Sequence, residues 1–178
     1  MQGNIQYICK SLNLFPHPEG GYFSEFYRSK EKIKNLSERF DGDHSFNTSI
    51  YYLLPGHAVS MFHRLKQDEI WHFYEGTNVI LHFLHPNGNY QKVILGRKLI
   101  DSIAEYKVLV PHGVWFSAEI EDKEAFSLVG CTATPGFEYS DWELANANTL
   151  VKKYPEQSVL IKRIMSIGTQ IENENKNV

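Results

Sequence analysis

An all-β barrel flanked by short helices is the architecture this sequence predicts, and three observations predict it. From Tyr22 to Val129 the chain is divided into runs of about five to eight residues rich in aromatic and β-branched types. Gly, Pro, Asn and Asp separate these runs. Apolar residues at helical spacing occur only towards the two ends.

The elements follow in order. Ile5, Ile8, Cys9 and Leu12 share one helical face, which predicts a helix over 4–13, ended by Pro16 and Pro18. About eight strand runs follow, over 21–27, 47–54, 58–64, 68–75, 78–84, 90–95, 106–110 and 115–131, the last long enough for two strands. Pro86-Asn87-Gly88-Asn89 reads as a hairpin turn, because Asn and Gly tolerate positive φ. The charged, aperiodic stretch 30–45 reads as a mobile loop. Asn148 is placed as the cap of a helix over 149–154, and Pro155 opens a second helix ending near Ile167. A frayed tail over 168–178 is expected from its polar end. Neither a repeat nor a linker is visible, so 1–178 reads as one domain with its barrel over about 20–135.

Bulk properties narrow the function. A net charge of -3, with lysines and arginines scattered among acids, offers no basic stripe for nucleic acid. No stretch of about 18 apolar residues is present, so a membrane partner is not expected. Cys9 and Cys131 fit neither a disulfide framework nor a zinc-ribbon spacing and read as reduced thiols, which predicts a cytoplasmic protein. Cys131 has no cationic neighbour in sequence, so no nucleophilic role is expected of it. His17, His57, His82, His85 and His112 fall at turns and strand edges, and most of them read as surface histidines.

The stretch from His63 to Gly76 carries the chemistry. Strand alternation puts Glu69, Trp71 and Phe73 on one face, and His63 joins them if the phase holds across the preceding turn. A carboxylate among aromatics on an inner face is costly to bury without a partner or a ligand, and an imidazole is a suitable partner. The competing reading is that Glu69 and His63 merely satisfy each other in a core.

These residues also carry a resemblance. His63, Glu69 and Gly76 resemble the first motif of the cupin superfamily, in which two histidines and a glutamate bind a metal. Pro111-His112-Gly113-Val114-Trp115-Phe116 resembles the second motif, which places a further histidine at its sixth position. Pro16-His17-Pro18-Glu19-Gly20-Gly21-Tyr22-Phe23, Tyr27-Arg28-Ser29, the 63–76 run, Trp115-Phe116-Ser117-Ala118-Glu119 and the segment from Gly130 to Tyr139 are together similar to the cupin-5 branch, over residues 8–165. The resemblance implies a double-stranded β-helix, or jelly roll. It also implies a pocket inside the barrel and a homodimer.

Two departures bear on the chemistry. Leu65 and Phe116 stand where two metal-binding histidines are found in the superfamily, leaving His63 and Glu69 as the plausible ligands. Two protein ligands rarely hold a catalytic transition metal, so no metal and no cofactor are expected. The chain also resembles, more distantly, metal-free cupins that epimerise deoxysugar nucleotides. By that carry-over Phe23 and Glu25 contact the nucleotide base, His63 is the general base and Tyr139 the acid. Gly20 and Glu69 depart from that pattern, standing where those proteins have an arginine and a lysine, and no aspartate partners the histidine near Leu95.

Arg28 is a candidate clamp for an anionic group of the ligand, although an arginine at a strand end is more often just solvated, and Gln67, Trp71, Phe73 and Phe116 are placed as pocket walls. The expected function is a metal-free isomerase or epimerase-like activity on a sugar or sugar-nucleotide-like small molecule. A non-catalytic binding module and a metal-dependent oxygenase or isomerase are the alternatives.

Overall fold

The computed structural model describes residues 2–176. Helix α1 (Gln2–Leu12) precedes a short β1 (Phe15–Pro16) and then β2 (Tyr22–Arg28), β3 (Lys32–Ile33), β4 (His44–Ser45) and β5 (Thr48–Pro55). The chain continues through β6 (Ser60–Leu65), β7 (Asp68–Gly76), β8 (Val79–Leu84), β9 (Tyr90–Leu95), β10 (Ala104–Glu105) and β11 (Lys107–Val110). It closes with β12 (Trp115–Glu119), β13 (Phe126–Thr134), β14 (Trp142–Leu144), α2 (Ala147–Lys153) and α3 (Ser158–Lys176). All the expected strand runs form, and the 115–131 run is two strands.

Two six-stranded sheets result, ordered β1-β2-β5-β13-β7-β11 and β10-β9-β8-β12-β6-β14. The core lies between them: Tyr52, Trp71, Val129 and Val108 of the first sheet share one apolar cluster with Leu81, Phe83, Leu95 and Phe116 of the second. The second sheet is also covered on its outer side, where Phe62, Leu84 and Trp115 pack against Leu150, Tyr154, Ile161 and Ile164 of the C-terminal helices. A sheet covered on both sides reads as a continuous apolar run, and every residue of β8 is buried. Among the described residues, no helix is long and apolar enough to cross a membrane.

Three local expectations are corrected. Asn146, rather than Asn148, caps α2, its side chain accepting from the Thr149 N–H at 3.0 Å. Helix α3 does not end near Ile167 but runs on to Lys176, so most of the expected frayed tail is helical. Gly168 sits so close to Met61 that a Cβ there would lie 2.1 Å from Met61 Cγ, and Ile171 packs on the central core. Burying Ile161 and Ile164 contributes roughly 3–6 kcal/mol, enough to order a helix that is marginal in isolation. The 30–45 stretch is not featureless either. It forms the β3–β4 ribbon, with His44 wholly buried against Phe40.

Candidate functional site

A cavity of about 90 Å³ opens between the sheets, walled by β2, β5, β6, β7 and β13 and by the 17–19 and 137–139 loops. At roughly 10–15 Å³ per water on this scale, it has room for about six to nine waters.

Its floor starts from the Gly20-Gly21 turn. Both glycines have positive φ, and a Cβ on Gly20 would lie 2.1 Å from the Val59 carbonyl oxygen. Only glycine lets the loop pass this close to the sheet. The Met61 N–H donates to Glu19 O at 2.9 Å and the Tyr52 hydroxyl to Gly20 O at 2.7 Å, which fixes Glu19 beside β6. The Glu19 carboxylate accepts from Ser60 Oγ at 2.7 Å and Trp142 Nε1 at 3.0 Å, and its Oε2 lies 3.1 Å from His63 Nδ1.

The carboxylate neighbour of His63 is therefore Glu19 and not Glu69, which corrects the pairing expected from alternation. His63 Nδ1 lies 2.7 Å from Met61 O, so this nitrogen carries the proton and Nε2 has a free lone pair. Among the described residues, Nε2 has no hydrogen-bond partner. Phe116 closes the back of the ring at a centroid distance of 4.1 Å. Burial holds the His63 pKa down at about 4, against a smaller opposing effect of the Met61 hydrogen bond.

Glu69 and Trp71 do share the inner face of β7. The Trp71 indole Nε1–H donates to Glu69 Oε2 at 2.7 Å, and among the described residues no other side chain hydrogen-bonds this carboxyl. Burial pushes the Glu69 pKa up to about 8, the Trp71 hydrogen bond opposes it and the charge of Glu19 adds to it. Near neutral pH His63 is thus an unprotonated base and Glu69 a protonated acid.

Phe23, Glu25 and Arg28 of β2 all line the cavity. Residues 25 and 28 should face opposite ways, but the register against β5 shifts between Glu25 and Tyr27, and this bulge returns Arg28 to the inside. The guanidinium donates from Nε and Nη2 to Glu25, and from Nη1 to Glu138 at 2.9 Å and Phe137 O at 3.1 Å. Tyr139 stands at the rim, half-exposed, with its ring against Phe137.

Three expected wall residues lie elsewhere. Phe116 is fully buried behind His63, and Phe73 packs on the central core beyond the cavity. Gln67 is buried outside the wall, where its amide donates to Asp141 Oδ2 at 2.6 Å and approaches Gly136 O at 3.3 Å. Asp141 also meets His44 Nε2 at 2.6 Å, so this cluster anchors the loop that carries Phe137 and Tyr139.

Sequence reasoning missed His17, Glu19, Tyr52 and Cys131, all of which face the cavity. The Pro16–Gly21 signature was the available signal for the first two. His17 is not a surface residue: its Nδ1 accepts from the Glu19 N–H at 3.3 Å, and burial lowers its pKa. His82 is likewise buried, between Glu119 at 3.0 Å and the Tyr90 hydroxyl at 2.9 Å. Burial pushes the Cys131 thiol well above its ordinary pKa, which leaves it a poor nucleophile.

The donor set does not fit a cupin metal. Leu65 presents an aliphatic side chain to the cavity and Phe116 an aromatic ring behind it. Among the described residues no three His, Cys, Asp or Glu side chains are grouped to hold an ion.

Comparison with known proteins agrees with this architecture. A family model described as Cupin superfamily (DUF985) matches residues 6–145. A Shewanella oneidensis crystal structure is 32% identical with a TM-score of 0.79, over 89% of this chain and 95% of that one. A hypothetical protein from Leishmania major is 31% identical with a TM-score of 0.80, over 89% and 96%. Oxalate decarboxylase from Bacillus subtilis is 14% identical with a TM-score of 0.50, over 77% of this chain and 33% of that one, a likeness of fold alone. No curated protein matches.

Proposed function

The chain belongs to the cupin superfamily, in the branch described as DUF985, and on that premise we propose that its cavity binds a small, ring-shaped polar molecule and isomerises or epimerises it without a metal. The observation that carries this reading is the opposite displacement of two proton carriers in one aromatic-walled cavity. His63 is held neutral by a pKa near 4, and Glu69 is held protonated by a pKa near 8. Pairs of groups pushed apart in this way mark the base and the acid of a proton-transfer site.

The roles follow from the geometry. His63 Nε2 takes a proton from a carbon next to a carbonyl, and Glu19, 3.1 Å from Nδ1, stabilises the imidazolium as it forms. Glu69 stands where the epimerase cupins have a lysine, and an ionised carboxylate there would repel an oxyanion. A protonated Glu69 instead donates a hydrogen bond to the enolate oxygen. Tyr139, at the rim of the cavity, is the proposed donor that returns a proton to the carbon.

The test is hydrogen exchange in deuterated water. Free sugars incubated with the protein are examined by NMR for deuterium at the carbon beside the carbonyl. Exchange lost in both His63→Ala and Glu69→Ala supports the reading, and a ligand that binds the wild-type cavity yet never exchanges refutes it in favour of a binding module. Elemental analysis of the purified protein is expected to give well under one equivalent of any transition ion. A homodimer completes the proposal, supported by the exposed Phe15 on the edge strand β1. Light scattering at the mass of one 20.6 kDa chain would refute the dimer.

A further inference from the structure

We propose that the cavity selects an uncharged, monosaccharide-sized ligand and discriminates against phosphate-, carboxylate- and nucleotide-bearing relatives of that ligand. The inference rests on the reading of the cavity as a ligand site and narrows what enters it.

Size supplies the first argument. Room for about six to nine waters accommodates one sugar ring, and a nucleoside diphosphate joined to it would lie outside the walls. Charge supplies the second. Glu19 and Glu25 put two acidic groups on the lining beside Glu69, whose raised pKa keeps it protonated, and Arg28 is the one lysine or arginine among the lining residues. That guanidinium is not available to an anion. Glu25 takes two of its nitrogens, and the third is held by Glu138 and by the Phe137 carbonyl. Neither imidazole replaces it, since burial holds both His17 and His63 towards their neutral forms. An anion entering here leaves water for a site with carboxyl groups and no spare cation. What the cavity does offer is neutral chemistry: the unpartnered Nε2 of His63, one carboxyl oxygen of Glu69 and aromatic faces on Tyr52 and Trp71. Those groups match hydroxyl and carbonyl oxygens on a ring with an apolar face.

The experiment measures binding, by ligand-observed NMR and thermal shift, of free aldoses and ketoses beside matched anionic forms: glucose with glucose 6-phosphate and glucuronate, and fructose with fructose 6-phosphate. At least one neutral sugar is expected to bind. Its anionic counterparts should bind on the order of tenfold to a hundredfold more weakly, as expected for a charge placed near an unscreened carboxylate. The double variant Glu25→Gln, Glu138→Gln frees Arg28 and is expected to bring the anionic forms to within about tenfold of the neutral one. Its salt bridges are part-exposed, so the variant should still fold.

Equal or tighter wild-type binding of a phosphate or uronate overturns the proposal, and so does failure of every neutral sugar to bind. The outcomes separate this inference from the enzyme reading. An anion that binds and exchanges hydrogen through His63 refutes the charge selection and keeps the enzyme, whereas a neutral sugar that binds without exchange does the reverse.

Discussion

Replacing Glu69 by glutamine keeps the shape of the side chain and removes its titration, so the variant isolates what burying this carboxyl does to stability. Folded Glu69 keeps its proton up to about pH 8, against an ordinary value of 4.5. Its contribution is complete below about 4.5 and is lost as pH rises through about 8. His63 works in the opposite sense: its folded pKa is about 4 against 6.5, so its contribution is complete above 6.5 and is lost as pH falls through about 4. Between 4.5 and 6.5 the two slopes oppose each other and nearly cancel. From 6.5 to 8 only the Glu69 slope remains, and at about 1.4 kcal/mol per pH unit it amounts to about 2 kcal/mol. Contact with water through the cavity reduces this to ~1–2 kcal/mol. Urea unfolding followed by circular dichroism at pH 6.5 and pH 8 measures the difference. The wild type should lose that amount over the interval while Glu69→Gln stays level within about 0.5 kcal/mol. Parallel curves for the two proteins would show that Glu69 is already ionised at pH 6.5, and the acid role would fall with it.

Other consequences can be measured directly. Hydrogen exchange of a bound sugar should follow a bell-shaped pH profile with limbs near 4 and 8, set by His63 and Glu69, and a flat profile across this range would mean that neither group transfers the proton. Gly20→Ala forces a Cβ to within 2.1 Å of Val59 O at a φ of +110° and should destabilise the fold by about 3 kcal/mol or more, read by thermal unfolding. Asp141→Ala strands the buried His44 ring and the Gln67 amide and is expected to cost ~3–5 kcal/mol. The same variant should raise proteolytic cleavage in the 136–141 loop, and unchanged cleavage would show that another contact holds it.

The strands were legible because alternation and turn residues are local signals, and β7 illustrates how far they reach. Its phase placed Glu69 and Trp71 inside, as the structure has them, but alternation gives the face of a strand and not the depth behind it. Phe116 and Phe73 pack on the core and still lie beyond the cavity, Phe116 fully buried against the His63 ring and Phe73 partly buried. Arg28 shows the converse, since strict alternation separates it from Glu25 and a bulge reunites them. The residue whose omission mattered most is Glu19. It reaches His63 from 44 positions earlier, through a two-glycine turn that abuts Val59, and no periodicity records such an approach. The chemistry turns on that one contact. A Glu69 paired with His63 would be pulled towards its charged carboxylate form, with no acid left at neutral pH. Because Glu19, itself held by Ser60 and Trp142, takes the place beside Nδ1, Glu69 keeps only an indole donor among the described residues. Burial then drives His63 and Glu69 to opposite neutral forms, which is the condition that a proton-transfer site requires.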